Sequence, residues 1–390
     1  MYPHQNERLT AALDRAGGEA LVACSPANVA YVTGFSSLGR ALRHVPQFGV
    51  FTRRGTALVV PADEVAVAVA DDAEVDHLLC YGEPLGLPED SAGPFARSVR
   101  RSLAEATRLG PDALATALER LGVREGVVAI DDARLSANDR QRIAGRLAHL
   151  ELVGGSAHFG MARRVKGPFE IECLAGALGI AEEALNEVVQ MLKRGVTERE
   201  ATTLYYMEIL KRGGEPAASS ITMGDRTALG GVRPSERALR AGELVRLDVG
   251  CVNRGFVARV GRTAVLGEPT PEQEALHGAV QAALEAAVDA AAPGRAAREV
   301  HAAARGAMRE GHLPGAHRAP IGHGIGLELE ELPELAPDDP TPLEPGEVLS
   351  IEIRDEAVGR RGLLARDTVL VTVDGARVLN RSSRGLVSLD

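Results

Sequence analysis

The chain has no tryptophan, and only 7 phenylalanines and 5 tyrosines among 390 residues. Alanine, glycine and arginine are plentiful instead, a bias that reads as high-GC coding rather than low complexity. The 4 cysteines, Cys24, Cys80, Cys173 and Cys251, are scattered. They form no CxxC pair, which excludes the usual zinc spacings, and a chain of this size needs no disulfide framework, so reduced thiols are expected. A basic surplus is also missing. The formal net charge is −10, which argues against nucleic acid as a main partner. The basic doublets Arg163-Arg164 and Arg360-Arg361 read as solvated surface. No long apolar run occurs. The stretch Ala279 to Ala292 is interrupted by Glu285 and Asp289 and is too short to span a bilayer. The first residues, Met-Tyr-Pro-His-Gln-Asn-Glu-Arg, carry no apolar run of the signal-peptide kind. A cytoplasmic protein without membrane or nucleic-acid partners is expected.

What is present is the composition of a globular protein, 45% hydrophobic and 25% charged, on a chain long enough for two domains. Leucine and alanine at helical spacing over 6–16 precede a buried strand at Glu19 to Cys24. Ser25-Pro26 reads as an N-cap followed by a first-turn proline, opening a helix through Tyr31. Phe48 to Thr52 and Thr56 to Pro61 read as a hairpin about Arg54-Gly55. Helical and strand-like runs alternate on to strands near Val127 to Ile130 and Leu150 to Val153, which predicts an α/β domain over residues 1–158. Met161 to Gly167 crosses to a second domain, 163–390. There a long helix from Pro168 to Lys193 ends at Gly195, and Thr197-Glu198-Arg199-Glu200 is a capping box for the next. Strands are expected at Ser219 to Met223, Leu244 to Val252 and Phe256 to Val265. Helices follow over Pro271 to Ala291 and Ala296 to Glu310. Short strands are expected at Gly326 to Leu329, Val348 to Arg354, Leu363 to Thr368 and Val369 to Val373. Helix pairs interleaved with antiparallel strands predict an α+β domain on a curved sheet.

Several ordered stretches of the second domain carry a resemblance. They are Arg164-Val165-Lys166-Gly167-Pro168-Phe169-Glu170-Ile171, Lys193-Arg194-Gly195-Val196-Thr197-Glu198, and Leu239 to Val245 leading into Asp248-Val249-Gly250. Gly322-His323-Gly324-Ile325-Gly326-Leu327 and Arg366-Asp367-Thr368-Val369-Leu370-Val371-Thr372 continue the series. Together they resemble the creatinase, prolidase and aminopeptidase P family. The resemblance implies a pita-bread catalytic domain preceded by a creatinase-type N-terminal α/β domain, matched more weakly at Tyr31-Val32-Thr33-Gly34-Phe35. It also implies a homodimer. The basic group Arg40, Arg43 and His44 lies just beyond that match, in a loop that reads either as solvated basic surface or as one that approaches the partner subunit's pocket.

The metal-dependent members of that family hold two ions on two Asp, one His and two Glu, with a shared hydroxide as nucleophile. Asp248, His323 and Glu352 match three of those positions. The other two carry Arg259, within Phe256-Val257-Ala258-Arg259-Val260-Gly261-Arg262-Thr263, and Arg366. Arginine has no lone pair for a metal and keeps its proton. Four acids would contribute −4, whereas Asp248, Glu352, Arg259 and Arg366 sum to zero. A divalent ion about 5 Å from one guanidinium is repelled by about 6–7 kcal/mol at an effective dielectric near 20. The family's accessory histidines are replaced as well, by Gly231 and by Glu330 of Glu330-Glu331-Leu332-Pro333. Creatinase is the metal-free relative, but its acid/base histidine falls at Gly231, so creatine itself is an unsuitable substrate.

The two arginines have two compatible readings: ion pairs with Asp248 and Glu352 that spare a buried carboxylate its cost, or a clamp for an anion. His323 reads as a relic of a metal site or as a general acid/base with a pKa near neutrality. Three functions follow. The first is a metal-independent creatinase-like enzyme cleaving a C–N bond in a small anionic substrate without any cofactor. In it His323 moves the proton, Glu352 and Glu331 orient it, and Arg259, Arg366, Asp248 and Glu330 bind the substrate. The second is a pseudo-peptidase that binds a peptide or small ligand without turnover. The third is a residual Xaa-Pro peptidase working with a single ion.

Overall fold

The computed structural model of the chain describes residues 3–37, 45–83, 86, 93–313 and 319–390. It divides into two compact units, Met1–Arg163 and Arg164–Asp390. The first is built on a six-stranded sheet of β1 (Ala20–Ala23), β2 (Phe48–Thr52), β3 (Gly55–Pro61), β4 (His77–Tyr81), β5 (Val127–Ile130) and β6 (Glu151–Gly154), in the order β4-β3-β2-β1-β5-β6. β2 pairs antiparallel with β1 and β3, and the other neighbours are parallel. The predicted hairpin is therefore present. The helix Pro26–Thr33 starts where the sequence places it, with Ser25 as N-cap and Gly34 at φ 71° as its left-handed stop. The N-terminal α/β expectation is met.

The second unit is built on a ten-stranded sheet. Its strands are β7 (Glu215–Pro216), β8 (Ser220–Met223), β9 (Leu244–Asn253), β10 (Phe256–Leu266), β11 (Gly322–Gly324), β12 (Glu331–Glu334), β13 (Val348–Ala357), β14 (Arg361–Thr372), β15 (Gly375–Val378) and β16 (Val387–Leu389). The main path runs β12-β11-β13-β14-β10-β9-β7. One helix pair, Pro168–Met191 and Glu198–Lys211, packs on the β9–β10 part of the sheet through Leu178, Leu185, Tyr205, Val245, Leu247, Val249 and Val260. A second pair, Pro271–Ala290 and Ala297–Glu310, packs on the β13–β14 part through Val280, Leu284, Val300, Leu349, Ile351, Ile353 and Leu363. This is the pita-bread arrangement expected for the second domain.

The period of two in a strand decides the rest. On β9 the odd-numbered residues 245–251 enter the helix-facing core, so Arg246 and Asp248 point to the opposite face. On β13, Leu349, Ile351 and Ile353 are in the core, leaving Ser350, Glu352 and Arg354 on the opposite face. The same parity assigns Arg259 on β10 and Arg366 on β14 to that face. Each apolar side chain on the helix side contributes about 1.5–3 kcal/mol of burial, so the parity of these strands is firmly held.

Three expectations are corrected. Gly326 to Leu329 is not a strand; the strand is the shorter β11. Its glycines let neighbouring backbone close in: a Cβ on Gly324 would stand 2.1 Å from the Leu332 carbonyl oxygen. The segments Leu363 to Thr368 and Val369 to Val373 are one strand, β14, because it pairs with β13 along its whole first part and with β15 beyond. Arg163 and Arg164 are buried rather than solvated, at 7% and 3% exposure, because Arg164 pairs with the fully buried Glu347. Among the described residues, no helix is long and apolar enough to cross a membrane, and all four cysteines are free thiols in buried positions. Leu247→Ala is expected to cost about 2–5 kcal/mol, read as a lower denaturant midpoint with an unchanged slope.

Candidate functional site

Strand register, rather than chain proximity, assembles the site. Asp248 on β9 faces Gly261 on β10, Gly261 faces Arg366 on β14, and Arg366 faces Glu352 on β13. The four form one row across four strands. Next along, β11 brings His323 opposite Ser350, two residues before Glu352 on the same face. Arg259 lies two residues before Gly261 and joins the row from the side. The structure thus collects Asp248, Arg259, His323, Glu352 and Arg366 on one face of the sheet.

Ion pairs fill this row. Arg259 donates from Nη2 to Oδ1 of Asp248 at 2.6 Å. Arg366 pairs with Glu352 through Nη2 and approaches Asp248 Oδ1 through Nη1 at 3.5 Å. Arg366 can reach Asp248, two strands away, because the intervening residue is glycine. A Cβ on Gly261 would stand 2.8 Å from the Arg366 Cβ and 2.7 Å from a Leu364 methyl. Two more arginines complete the cluster. Arg246 lies 3.8 Å from Asp248 and 2.7 Å from Glu356. Arg354 pairs with Glu352 at 2.6 Å. Four guanidinium groups therefore meet three carboxylates. Arg366 and Asp248 are 4% and 5% exposed, so these charges interact with little screening by water. Burial, the largest cause, pulls the Arg366 pKa down to about 10, Asp248 opposes the shift, and Arg259 and Arg246 add to it. At neutral pH the group keeps its charge.

His323 has one defined ring contact: Nδ1 lies 2.9 Å from the carbonyl oxygen of Gly324. A carbonyl only accepts, so Nδ1 carries the proton and the lone pair is on Nε2. Burial is the largest cause lowering the imidazole's pKa below its ordinary value. The Gly324 carbonyl and Glu330 pull it back, and Arg366 and Arg259 press it further down. The ring is therefore neutral at pH 7, with Nε2 as a base.

The remaining predicted residues sit differently. Glu331, expected to orient His323, is taken up by Lys166 at 3.0 Å in a pair with both side chains 2% exposed. It also accepts the Glu328 N–H at 3.2 Å. Glu352, expected in the same role, is bound by Arg366 and Arg354. Glu330 is exposed and acts on His323 and Arg366 through its charge alone. Gly231, at the accessory-histidine position, is exposed at φ 69°. Arg40, Arg43 and His44 lie outside the described residues. The sequence reading missed Arg246, Arg354 and Gly261. Strand parity could have found the first two, which stand two residues from Asp248 and Glu352.

These residues do not fit the ion pair of the family resembled above. Two of the five ligand positions carry guanidinium groups, and those groups already engage Asp248 and Glu352. Among the described residues, no group of three or more His, Cys, Asp or Glu gathers to hold a metal ion.

The comparisons with known proteins agree on the scaffold. Metallopeptidase family M24 matches residues 172–373, and the creatinase/prolidase N-terminal domain matches residues 6–165. The chain is 32% identical over 227 residues to the Xaa-Pro dipeptidase of Pyrococcus furiosus, and 31% identical over 229 residues to that of Pyrococcus horikoshii. Each match covers 58% of this chain and 65% of the relative. A Bacillus anthracis Xaa-Pro dipeptidase shares the fold with a TM-score of 0.82 at 23% identity, over 99% of both chains. An X-Pro aminopeptidase from Thermotoga maritima does so with a TM-score of 0.80 at 22% identity, over 98% of this chain and 99% of that one. These findings overturn the expectation of metal-independent, creatinase-like cleavage of a small anionic molecule. The relatives are peptidases of a metallopeptidase family. The acid/base histidine that such chemistry would use is replaced by the exposed Gly231.

Removing one partner of a buried pair strands the other. Arg366→Met is expected to cost about 3–5 kcal/mol in chemical denaturation, and pairing it with Glu352→Gln should return most of that loss. An unchanged midpoint in the single variant would show that Arg354 alone suffices as the partner of Glu352. A pH effect follows from His323, His277 and His301, whose pKa values are all lowered, chiefly by burial. Unfolded histidines titrate at about 6.5, so just below that pH the unfolded chain binds more protons than the folded one. Stability should fall as pH drops through about 6.5. His323→Gln should reduce the fall between pH 7.5 and 5.5, measured as denaturant midpoints; an identical fall would exclude a contribution from this ring.

Proposed function

The chain belongs to metallopeptidase family M24, and from that premise we propose that its cleft takes short peptides of the Xaa-Pro kind, with hydrolysis reduced to a residual rate. The observation that carries this reading is the 32% identity to an Xaa-Pro dipeptidase over 227 residues, a length that exceeds the 202 residues matched as the M24 domain, 172–373. Since 65% of that relative is covered, substrate and activity come to this chain as part of the proposal.

The residues have defined tasks in it. Nε2 of His323, kept unprotonated by the Nδ1–Gly324 bond and by burial, accepts or relays a proton at the reacting bond. Arg354, 41% exposed while paired with Glu352, presents a guanidinium at the open side of the row, where it can bind an oxygen of the peptide. The Arg366–Glu352 and Arg259–Asp248 pairs hold the row beneath it in place. No step is routed through a metal, because the donor set does not fit one.

A second reading is favoured by the same ion pairs: a peptide binder without turnover. With Asp248 and Glu352 both engaged by guanidinium groups, neither carboxylate is available to activate water.

Titration calorimetry with Ala-Pro and other Xaa-Pro dipeptides, followed by proline-release assays over hours, tests both. Saturable binding with slow release, lost in His323→Ala while binding persists, is the expected result. Binding with no release favours the second reading. Absence of saturable binding for Xaa-Pro and other short peptides sinks both.

A further inference from the structure

We infer that Arg259 and Arg366 are this chain's own replacement for divalent ions, and that these two side chains, at the ligand positions themselves, keep the site from holding a metal. The inference does not depend on peptides being the ligand.

Three independent features point to a built substitution rather than a chance loss. The first is position. Arg366 stands opposite Glu352 in register, and Arg259 reaches Asp248 within the same row. The two cations thus sit among the carboxylates that the family frame assigns to metal. The second is charge. Two guanidinium groups balance Asp248 and Glu352, and Arg246 and Arg354 approach the same carboxylates from the flanks. An incoming divalent ion finds Asp248 and Glu352 already compensated and four cations nearby. The third is space. Gly261 lies between Asp248 and Arg366, and any Cβ there would collide with the Arg366 side chain. The cavity for the long guanidinium side chain is therefore part of the fold.

The rest of a two-ion frame is still in place. Asp248 and Glu352 end the row, and His323 presents an unprotonated Nε2. Its Nδ1 is held by a backbone carbonyl, the arrangement that orients metal-binding imidazoles. Replacing the two cations by carboxylates would take the charge of the four positions from 0 to −4. It would also remove the groups that now occupy Asp248 and Glu352.

The test compares the wild-type chain with the Arg259→Asp, Arg366→Glu double variant. Each is titrated with Mn2+, Co2+ and Zn2+ by calorimetry, with thermal unfolding as a second readout. The wild type is expected to show no saturable binding below about 1 mM and no rise in melting temperature. The double variant is expected to bind two ions at least 100-fold more tightly, with a clear rise. If the double variant does not fold with or without ions, Arg366→Glu alone, which keeps the Arg259–Asp248 pair, is expected to bind one ion. A wild-type protein that purifies with a stoichiometric divalent ion at this site overturns the inference. So does a folded variant that binds no better than wild type.

Discussion

The second unit's candidate site depends on one guanidinium. Arg366 joins Glu352, one strand away, to Asp248, two strands away on the other side, across the gap left by Gly261. In a region this dry, either carboxylate alone would be expensive to keep ionised, and the arginine alone equally so. Together with Arg259 they form a neutral set, and the face of the sheet can close over it.

This balance explains the surrounding charges. Arg246 leans toward Asp248 but is anchored by Glu356. Arg354 covers Glu352 from the open side. On the opposite face a separate network does structural work: Arg262 binds Asp367, the Arg366 carbonyl and Ser382. The same strands thus carry a functional row and a structural one, separated by the pleat. His323 belongs to the first, and its environment keeps it neutral because cations and burial both oppose a further positive charge.

Membership of a metallopeptidase family and a site populated by arginines are compatible facts at different levels. The helix pairs, the curved sheet and the strand order depend on apolar parity that the substitutions leave untouched. Chemistry depends on a few side chains on the other face, and there arginine in place of acid at two positions takes the charge of the four from −4 to zero. Fold likeness alone therefore cannot carry the reaction.

Much of this was legible in the chain itself. Helix starts at Ser25 and Thr197 were readable from caps, long strands from alternation, and the family from ordered motifs that survive independently of the ligands. Asp248, Arg259, His323, Glu352 and Arg366 were reached through the family resemblance, whose motifs keep their order and spacing whatever side chain stands at the ligand positions. Arg246, Arg354 and the spacer Gly261 were not found, and the pairing of Glu331 with Lys166 was not foreseen. Those depend on which strands lie side by side and on who reaches a carboxylate first, and no local pattern encodes either. The sequence by itself determined the two-domain scaffold and the presence of arginines at two positions where the family resemblance expects acids, since propensity, parity and residue chemistry are local. Only the tertiary structure decided that Arg259 and Arg366 pair with Asp248 and Glu352, since that requires four strands in register and a glycine between them.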